Sequence, residues 1–224
     1  MSLRGTLSQS VEDYLKAIYK LQTEDNWVST SDLATRMEVS AASVTNMIKR
    51  LDVLGLVVYA SYKGAKLSPL GEKIALEIIR HHRLLETYLR EIMGYDWDEM
   101  HAEAEHLEHH ISEEFEMRLD KMLGYPTHDP HGDPIPSKDG SIAVVDSDPI
   151  KDCPIGIDLT VRRVSDSNAE MLRELESIGL LPGASLKLIN PSSNLDHVTV
   201  VSGDVTLNLD PDLASHIFAS PTES

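Results

Sequence analysis

One cysteine in 224 residues, Cys153, excludes an internal disulfide framework and any zinc site built from several thiolates. No run of apolar residues approaches the roughly 18 needed to cross a bilayer, and the polar start Met1 to Thr6 lacks the character of a signal peptide. These absences lead to the expectation of a soluble chain in a reducing cytoplasm, with no membrane partner. Glycine-rich phosphate loops, nucleophile elbows and His-Glu-x-x-His are missing too. A single Glu-x-x-His runs from Glu103 to His106, whereas a carboxylate-bridged di-metal enzyme needs two such motifs and two further glutamate-bearing helices. Enzymatic activity is therefore not expected.

Positive charge is also scarce. Twenty Lys and Arg face 37 Asp and Glu, for a net charge of −17, which by itself disfavours a polyanionic partner. The imbalance is local, however. Residues 1–75 hold nine Lys/Arg against eight Asp/Glu, and the remainder holds eleven against twenty-nine. The first third is free to meet nucleic acid.

That third reads as helix, helix–turn–helix, hairpin. Ser8 to Leu21 is amphipathic, with Val11, Tyr14, Leu15, Ile18 and Leu21 on one side. Thr30 to Met37 is a short capped helix, Glu38 to Ser40 the turn, and Ser40 the cap of a second helix, Ala41 to Gly55, with Val44, Met47, Ile48 and Leu51 buried. Two β-rich runs, Leu56–Tyr59 and Ala65–Leu67, meet around Tyr62, Lys63 and Gly64, and Ser68-Pro69 opens the next helix. This is the layout of a winged helix-turn-helix. The exposed face of the second helix offers Ser40, Ser43, Thr45, Asn46, Lys49 and Arg50, small polar and basic groups suited to a major groove. Lys63 and Lys66 would hold the wing to phosphates. A winged helix used for protein contacts is the alternative.

The middle of the chain concentrates imidazole and carboxylate. Between His101 and His109, helical spacing puts His101, Glu105, Glu108 and His109 within roughly a 100° arc. Met100, Ala104, Leu107 and Ile111 form a stripe beside them, while Glu99, Glu103, His106 and His110 point away. Glu105, Glu108 and His109 (i, i+3, i+4) present two carboxylates and an imidazole to one point, a ligand set for a divalent metal of intermediate hardness. Alone, this run is more simply read as a solvated charged face. A second pair, His82 and Glu86, shares the stripe of Ala75, Ile78, Ile79, Leu85 and Leu89 between Gly71 and Gly94. Ionisable groups on an apolar stripe are costly unless paired or metal-bound, and two such clusters on consecutive helices favour metal. After Gly124 come Pro-rich loop signals to about Pro149, whose His128 and His131 are expected to be exposed. A β-rich stretch with one short helix, Ala169 to Ile178, follows.

Several segments resemble the diphtheria toxin repressor family of metal-dependent transcriptional repressors: Glu12–Tyr19, Ser43–Leu51, His82–Glu86, Glu105–His109, Asp133–Pro136 and Gly179–Gly183, in consistent order over nearly the whole chain. The resemblance implies an α+β multidomain chain: a winged helix-turn-helix over 1–75, a helical metal-binding and dimerisation domain over 76–125, a Pro-rich linker over 126–149 and an SH3-like (FeoA-like) β-barrel over 150–224. It further implies a homodimer that binds palindromic operator DNA when metal-loaded and represses metal-uptake genes. Its metal sites would be a primary one of Asp13, Glu105, Glu108 and His109, and an ancillary one of His82, Glu86 and His101, with Asp166 as the best match for a ligand from the β-domain. Iron-sensing members place Met and Cys where this chain has Asp13 and Glu105, so the oxygen-rich set implies Mn²⁺, with Fe²⁺ as the alternative. Lys16 stands where the smaller manganese regulators have an acid, and Arg163 where iron-sensing members have a carboxylate from the β-domain.

Overall fold

The computed structural model describes residues 7–22, 27–166, 168–191 and 197–222, so the polar start lies outside the described residues. The chain divides into two compact units. The first comprises residues 1–82 with 108–111 and 136–141; the second comprises 83–107, 112–135 and 142–224.

In the first unit α1 (Gln9–Leu21), α2 (Thr30–Arg36), α3 (Ala41–Val53), the hairpin β1 (Val57–Ala60) with β2 (Gly64–Leu67), and the start of α4 (Pro69–Glu91) share one core. Leu15, Ile18, Leu33, Val44, Ile48, Leu51, Leu56 and Ala65 fill it. Polar caps set the helix starts: Ser29 Oγ accepts the Asp32 N–H at 3.1 Å and Ser40 Oγ accepts that of Ser43 at 3.2 Å. Each such cap contributes about 1 kcal/mol. Met47, expected in the core, is only partly buried at its margin. The hairpin is antiparallel, and its Ala65 bridges to Val28. That bridge needs Gly64, whose φ is +99° and where a Cβ would sit 1.9 Å from the Val28 carbonyl oxygen.

In the second unit the rest of α4 is joined by α5 (Trp97–Leu107) and α6 (Glu113–Met122), then an ordered loop, then a six-stranded antiparallel sheet. Its strands are β3 (Asp148–Pro149), β4 (Leu159–Val164), β5 (Ser185–Asn190), β6 (Val198–Ser202), β7 (Val205–Leu209) and β8 (Ile217–Pro221), in the order β3-β8-β4-β5-β6-β7. α7 (Ala169–Ile178), capped by Asn168, packs on α5; α8 (Pro211–Ser215) leads into β8. Arg162 is an extra residue in β4, because Val161 pairs with Ala219 and Arg163 with Phe218. Cys153 is buried, its Sγ 3.6 Å from the Ala219 carbonyl, as a small core residue. No helix among the described residues is long and apolar enough to cross a membrane.

One sequence expectation fails in α5. The helix ends at Leu107, so Glu108 and His109 do not extend the face that carries His101 and Glu105. Of the stripe Met100, Ala104, Leu107 and Ile111, the first two are fully buried and the last two only half-buried.

Candidate metal centres and DNA-facing helix

The first unit gathers charge that periodicity alone would place in water. Glu12 and Lys16 are one turn apart on α1 and both buried. The Glu108 side chain is completely buried, and its carboxylate is chelated by Lys16 Nζ at 2.8 and 2.7 Å. Its Oε2 is also 2.6 Å from His82 Nδ1. His109 turns its Nδ1 to Glu12 Oε2 at 2.7 Å. Once the ring is neutral, that carboxylate keeps the proton on Nδ1 and leaves Nε2 as the lone-pair nitrogen, the arrangement typical of a metal-ligating histidine. His109 Nε2 lies 2.9 Å from Asp13 Oδ1 and 3.3 Å from Glu108 Oε1. Neither contact is aligned as a hydrogen bond, so this buried nitrogen has no hydrogen-bond partner. Adjacent donors around a six-coordinate divalent ion stand about 3 Å apart, so Asp13, Glu108 and His109 fit three of its positions.

Burial acts to lower the pKa of His109, but Asp13, Glu12 and the charge of Glu108 outweigh it and push the ring up to about 9. A raised value contributes stability that is complete below the ordinary 6.5 and is lost as pH rises through about 9. A metal must expel that proton. The affinity for Mn²⁺ is therefore expected to rise about tenfold per pH unit from neutrality toward pH 9, with about one proton released per ion. Calorimetry in buffers of different ionisation enthalpy measures the release; a pH-independent affinity would remove His109 from the ligand set.

Glu105, the remaining primary-site residue, belongs to the second unit, where its Oε1 is 3.7 Å from His101 Nε2. There Glu86, nearly inaccessible on α4, receives His101 Nδ1 on Oε1 at 2.9 Å, and Asp166 Oδ2 is 3.9 Å from the same nitrogen. The other oxygen of Glu86 lies 3.7 Å from His131 Nδ1. His82, which the family resemblance assigns with Glu86 and His101, donates Nδ1–H to Glu108 Oε2 in the first unit and leaves Nε2 for another partner.

His131 is the residue the sequence misjudged. It is fully buried rather than exposed, neither ring nitrogen has a hydrogen-bond partner, and Trp97 meets it edge-on at 5.1 Å. Glu86, Asp129 and His131 bring ligand atoms within 4.8 Å of one another, all three buried. A tight turn holds them: the Gly132 N–H donates to the Asp129 carbonyl, the Asp133 N–H to Asp129 Oδ1, and the Val164 N–H on β4 to the His131 carbonyl. Burial, then the charges of Glu86 and Asp133, raise the pKa of Asp129, while Arg83 at 3.3 Å acts in the opposite sense. His131 is also raised: burial opposes this, but Glu86, Asp129 and Asp166 prevail. Arg83 and Arg163 both pair with Asp133 as well, at 3.5 and 3.7 Å. The one signal of this cluster in the sequence was Asp129-Pro-His-Gly-Asp133, a turn carrying two acids and an imidazole. His128 is exposed.

On the recognition side, Ser43, Asn46, Lys49 and Arg50 are exposed along α3, with Ser40 at its cap. Thr45 is half-buried and spends its hydroxyl on the Ala41 carbonyl at 2.8 Å. Lys63 is exposed on the wing, 5.6 Å over the Trp27 ring, and Lys66 is half-buried on β2. A winged helix with an open polar recognition face, in a chain with histidine–carboxylate clusters, defines a metal-dependent DNA-binding regulator rather than an enzyme.

Comparison with known proteins names the family. Residues 6–65 match the iron dependent repressor N-terminal DNA binding domain, residues 68–137 its metal binding and dimerisation domain, and residues 149–221 the FeoA domain. The chain is 31% identical over 218 residues to the diphtheria toxin repressor of Corynebacterium efficiens, covering 93% of this chain and 94% of that one. It is 29% identical over 221 residues to the iron-dependent repressor IdeR of Mycobacterium leprae, covering 93% and 95%. A solved manganese-dependent transcriptional repressor in complex with manganese superposes with a TM-score of 0.87 at 36% identity, over 95% of this chain and all of that one. The protein belongs to the diphtheria toxin repressor family of metal-dependent transcriptional repressors, whose members bind operator DNA and carry a dimerisation domain.

Proposed function

We propose that this protein is a manganese-responsive repressor: a cytoplasmic homodimer that binds palindromic operator DNA when loaded with Mn²⁺ and silences metal-uptake genes. The observation that carries the metal preference is the donor set of the first centre, carboxylates of Asp13 and Glu108 with His109 Nε2 and no sulfur. Hard oxygen ligands with one imidazole suit Mn²⁺ over later, softer metals. Glu105 is assigned to the same centre. The second centre is assigned to His82, Glu86 and His101 with Asp166, as the resemblance has it, and extended by Asp129 and His131 beside Glu86. Fe²⁺ is the second reading, favoured by the relatives named iron-dependent.

Asp13, Glu108 and His109 would hold a divalent ion, which would supply positive charge between the two carboxylates. The chain does the rest. Glu12 fixes the ring of His109, and residues 108–111 are thereby tied to α1. Because α1 and α3 share one core, fixing α1 fixes the recognition helix. A dimer must present two such helices to major grooves about 34 Å apart, so restricting their spread raises the population able to bind. The coupling needs only a higher metal affinity for that pose.

The test is a titration of metal-free protein with Mn²⁺, and anaerobically with Fe²⁺, against a fluorescent promoter fragment from upstream of the host's own metal-uptake genes, at fixed salt. Activation by less Mn²⁺ than Fe²⁺ supports the manganese reading; equal activation removes it. Replacing Glu105 by Ala should leave fold and dimer intact and abolish metal-stimulated binding, and unchanged stimulation refutes its assignment.

A further inference from the structure

The mechanism above leaves the buried charge of Lys16 unused. Lys16 is 5% exposed, and its ammonium is held on both oxygens of Glu108 at 2.8 and 2.7 Å. Desolvating an ammonium is costly, and a lysine set off the apolar stripe of α1 yet buried has no packing need for its charge. The consequence lies in how Glu108 is shared. Its Oε2 meets both Lys16 and His82, while its Oε1 is the atom facing His109 Nε2 at 3.3 Å.

We propose that Lys16 is a tethered cation that shares Glu108 with the bound metal, holds that carboxylate to a single ligand oxygen, and so sets the metal concentration at which the repressor switches. This rests on the assignment of Asp13, Glu108 and His109 as ligands. With Nζ bridging both oxygens, Glu108 reaches a metal through Oε1 alone and cannot chelate it. The fixed positive charge also repels a divalent ion held on the same carboxylate, an interaction weakly screened at a buried site. Both effects weaken binding. A sensor must release its metal when supply falls, and a weakened site meets that requirement. Lys16 thus acts as a specificity-determining neighbour of the centre, not as a ligand.

The experiment is calorimetric titration of the metal-free full chain with MnCl₂, for the parent protein, Lys16→Gln, Lys16→Met and His109→Ala, each checked for folding by circular dichroism. Lys16→Gln keeps a donor for Glu108 without charge; Lys16→Met removes both. The expected result is Mn²⁺ affinity at the first centre tighter by about tenfold or more in both Lys16 variants. The Mn²⁺ concentration for half-maximal operator binding should fall by a similar factor. Unchanged or weaker affinity in Lys16→Gln and Lys16→Met overturns the role of Lys16, provided His109→Ala loses one ion. If His109→Ala loses none, the ligand assignment itself has failed and the inference with it.

Discussion

Replacing Glu108 by Ala is expected to lower the melting temperature of the first unit by about 20 °C and to eliminate metal binding at its centre. Both effects come from one carboxylate with no solvent exposure that two bonds from Lys16, one from His82 and the approach of His109 Nε2 share. Truncating it leaves a buried ammonium short of its carboxylate. Breaking a buried ion pair on one side costs about 3–5 kcal/mol, far more than the pair contributes relative to apolar residues. Against the roughly 5–15 kcal/mol that holds a domain folded, this is a large share. Glu108→Gln separates the two roles: the amide keeps its shape and an acceptor for Lys16, so most stability returns, while the ligand charge does not. Thermal denaturation followed with and without Mn²⁺ reads both. A Glu108→Ala protein still stabilised by Mn²⁺ at the first centre, with an unchanged melting temperature in its absence, would remove Glu108 from the heart of the site.

The same residue shows how far the sequence reaches. The winged helix was legible because each part carries its own local signal: the stripe of Val11, Tyr14, Leu15 and Ile18, the cap at Ser40, and the apolar positions Val44, Ile48 and Leu51. The two histidine–carboxylate clusters were legible for the same reason. Their geometry was not. Spacing from His101 to His109 assumes one unbroken helix, yet α5 stops at Leu107 and the turn that follows re-aims Glu108 and His109 toward α1. Asp13 came from the family resemblance, since no spacing rule links it to residue 109. Glu12 and Lys16, one turn apart, carried no such signal: helical spacing sets both off the stripe of Val11, Leu15 and Ile18, and only the fold buries them. A charge so buried calls for a partner, and the fold alone says which.

His131 was missed for a different physical reason. Composition describes residues 125–136 as a Pro-rich connection, and connections are usually at the surface. What buries His131 is long-range: β4 supplies the Val164 N–H, Trp97 supplies a ring edge and Glu86 a carboxylate, from three separate stretches of chain. A turn takes its side-chain directions from such contacts, and no periodicity encodes them. The second centre is therefore a product of how the 129–133 turn meets the sheet.

That junction makes Gly132 the most sensitive backbone position near the second centre, and Gly132→Ala is expected to abolish it. Gly132 has φ of +86°, and a Cβ there would stand 2.0 Å from the Arg162 carbonyl oxygen and 2.8 Å from the Arg163 Cα. Both obstacles are backbone, and Arg162 is the extra residue of a β-bulge whose neighbours are fixed by pairing to β8. The methyl group is accommodated only if the turn lifts off β4. The bond from Val164 N–H to the His131 carbonyl is then lost, and Asp129 and His131 move away from Glu86. The left-handed conformation alone costs an alanine about 1–2 kcal/mol, and the clash brings the expected loss to about 3 kcal/mol or more. Gly156→Ala is the control within the same unit, because Gly156 shares the left-handed conformation at φ +78° but has open space around its missing Cβ. It should show only the smaller loss and keep its metal. Counting Mn²⁺ ions by calorimetry and melting each variant separates the cases: Gly132→Ala should bind one ion fewer while the first centre retains its own. A Gly132→Ala protein as stable as Gly156→Ala, with an undiminished metal count, would show that the turn does not build the centre.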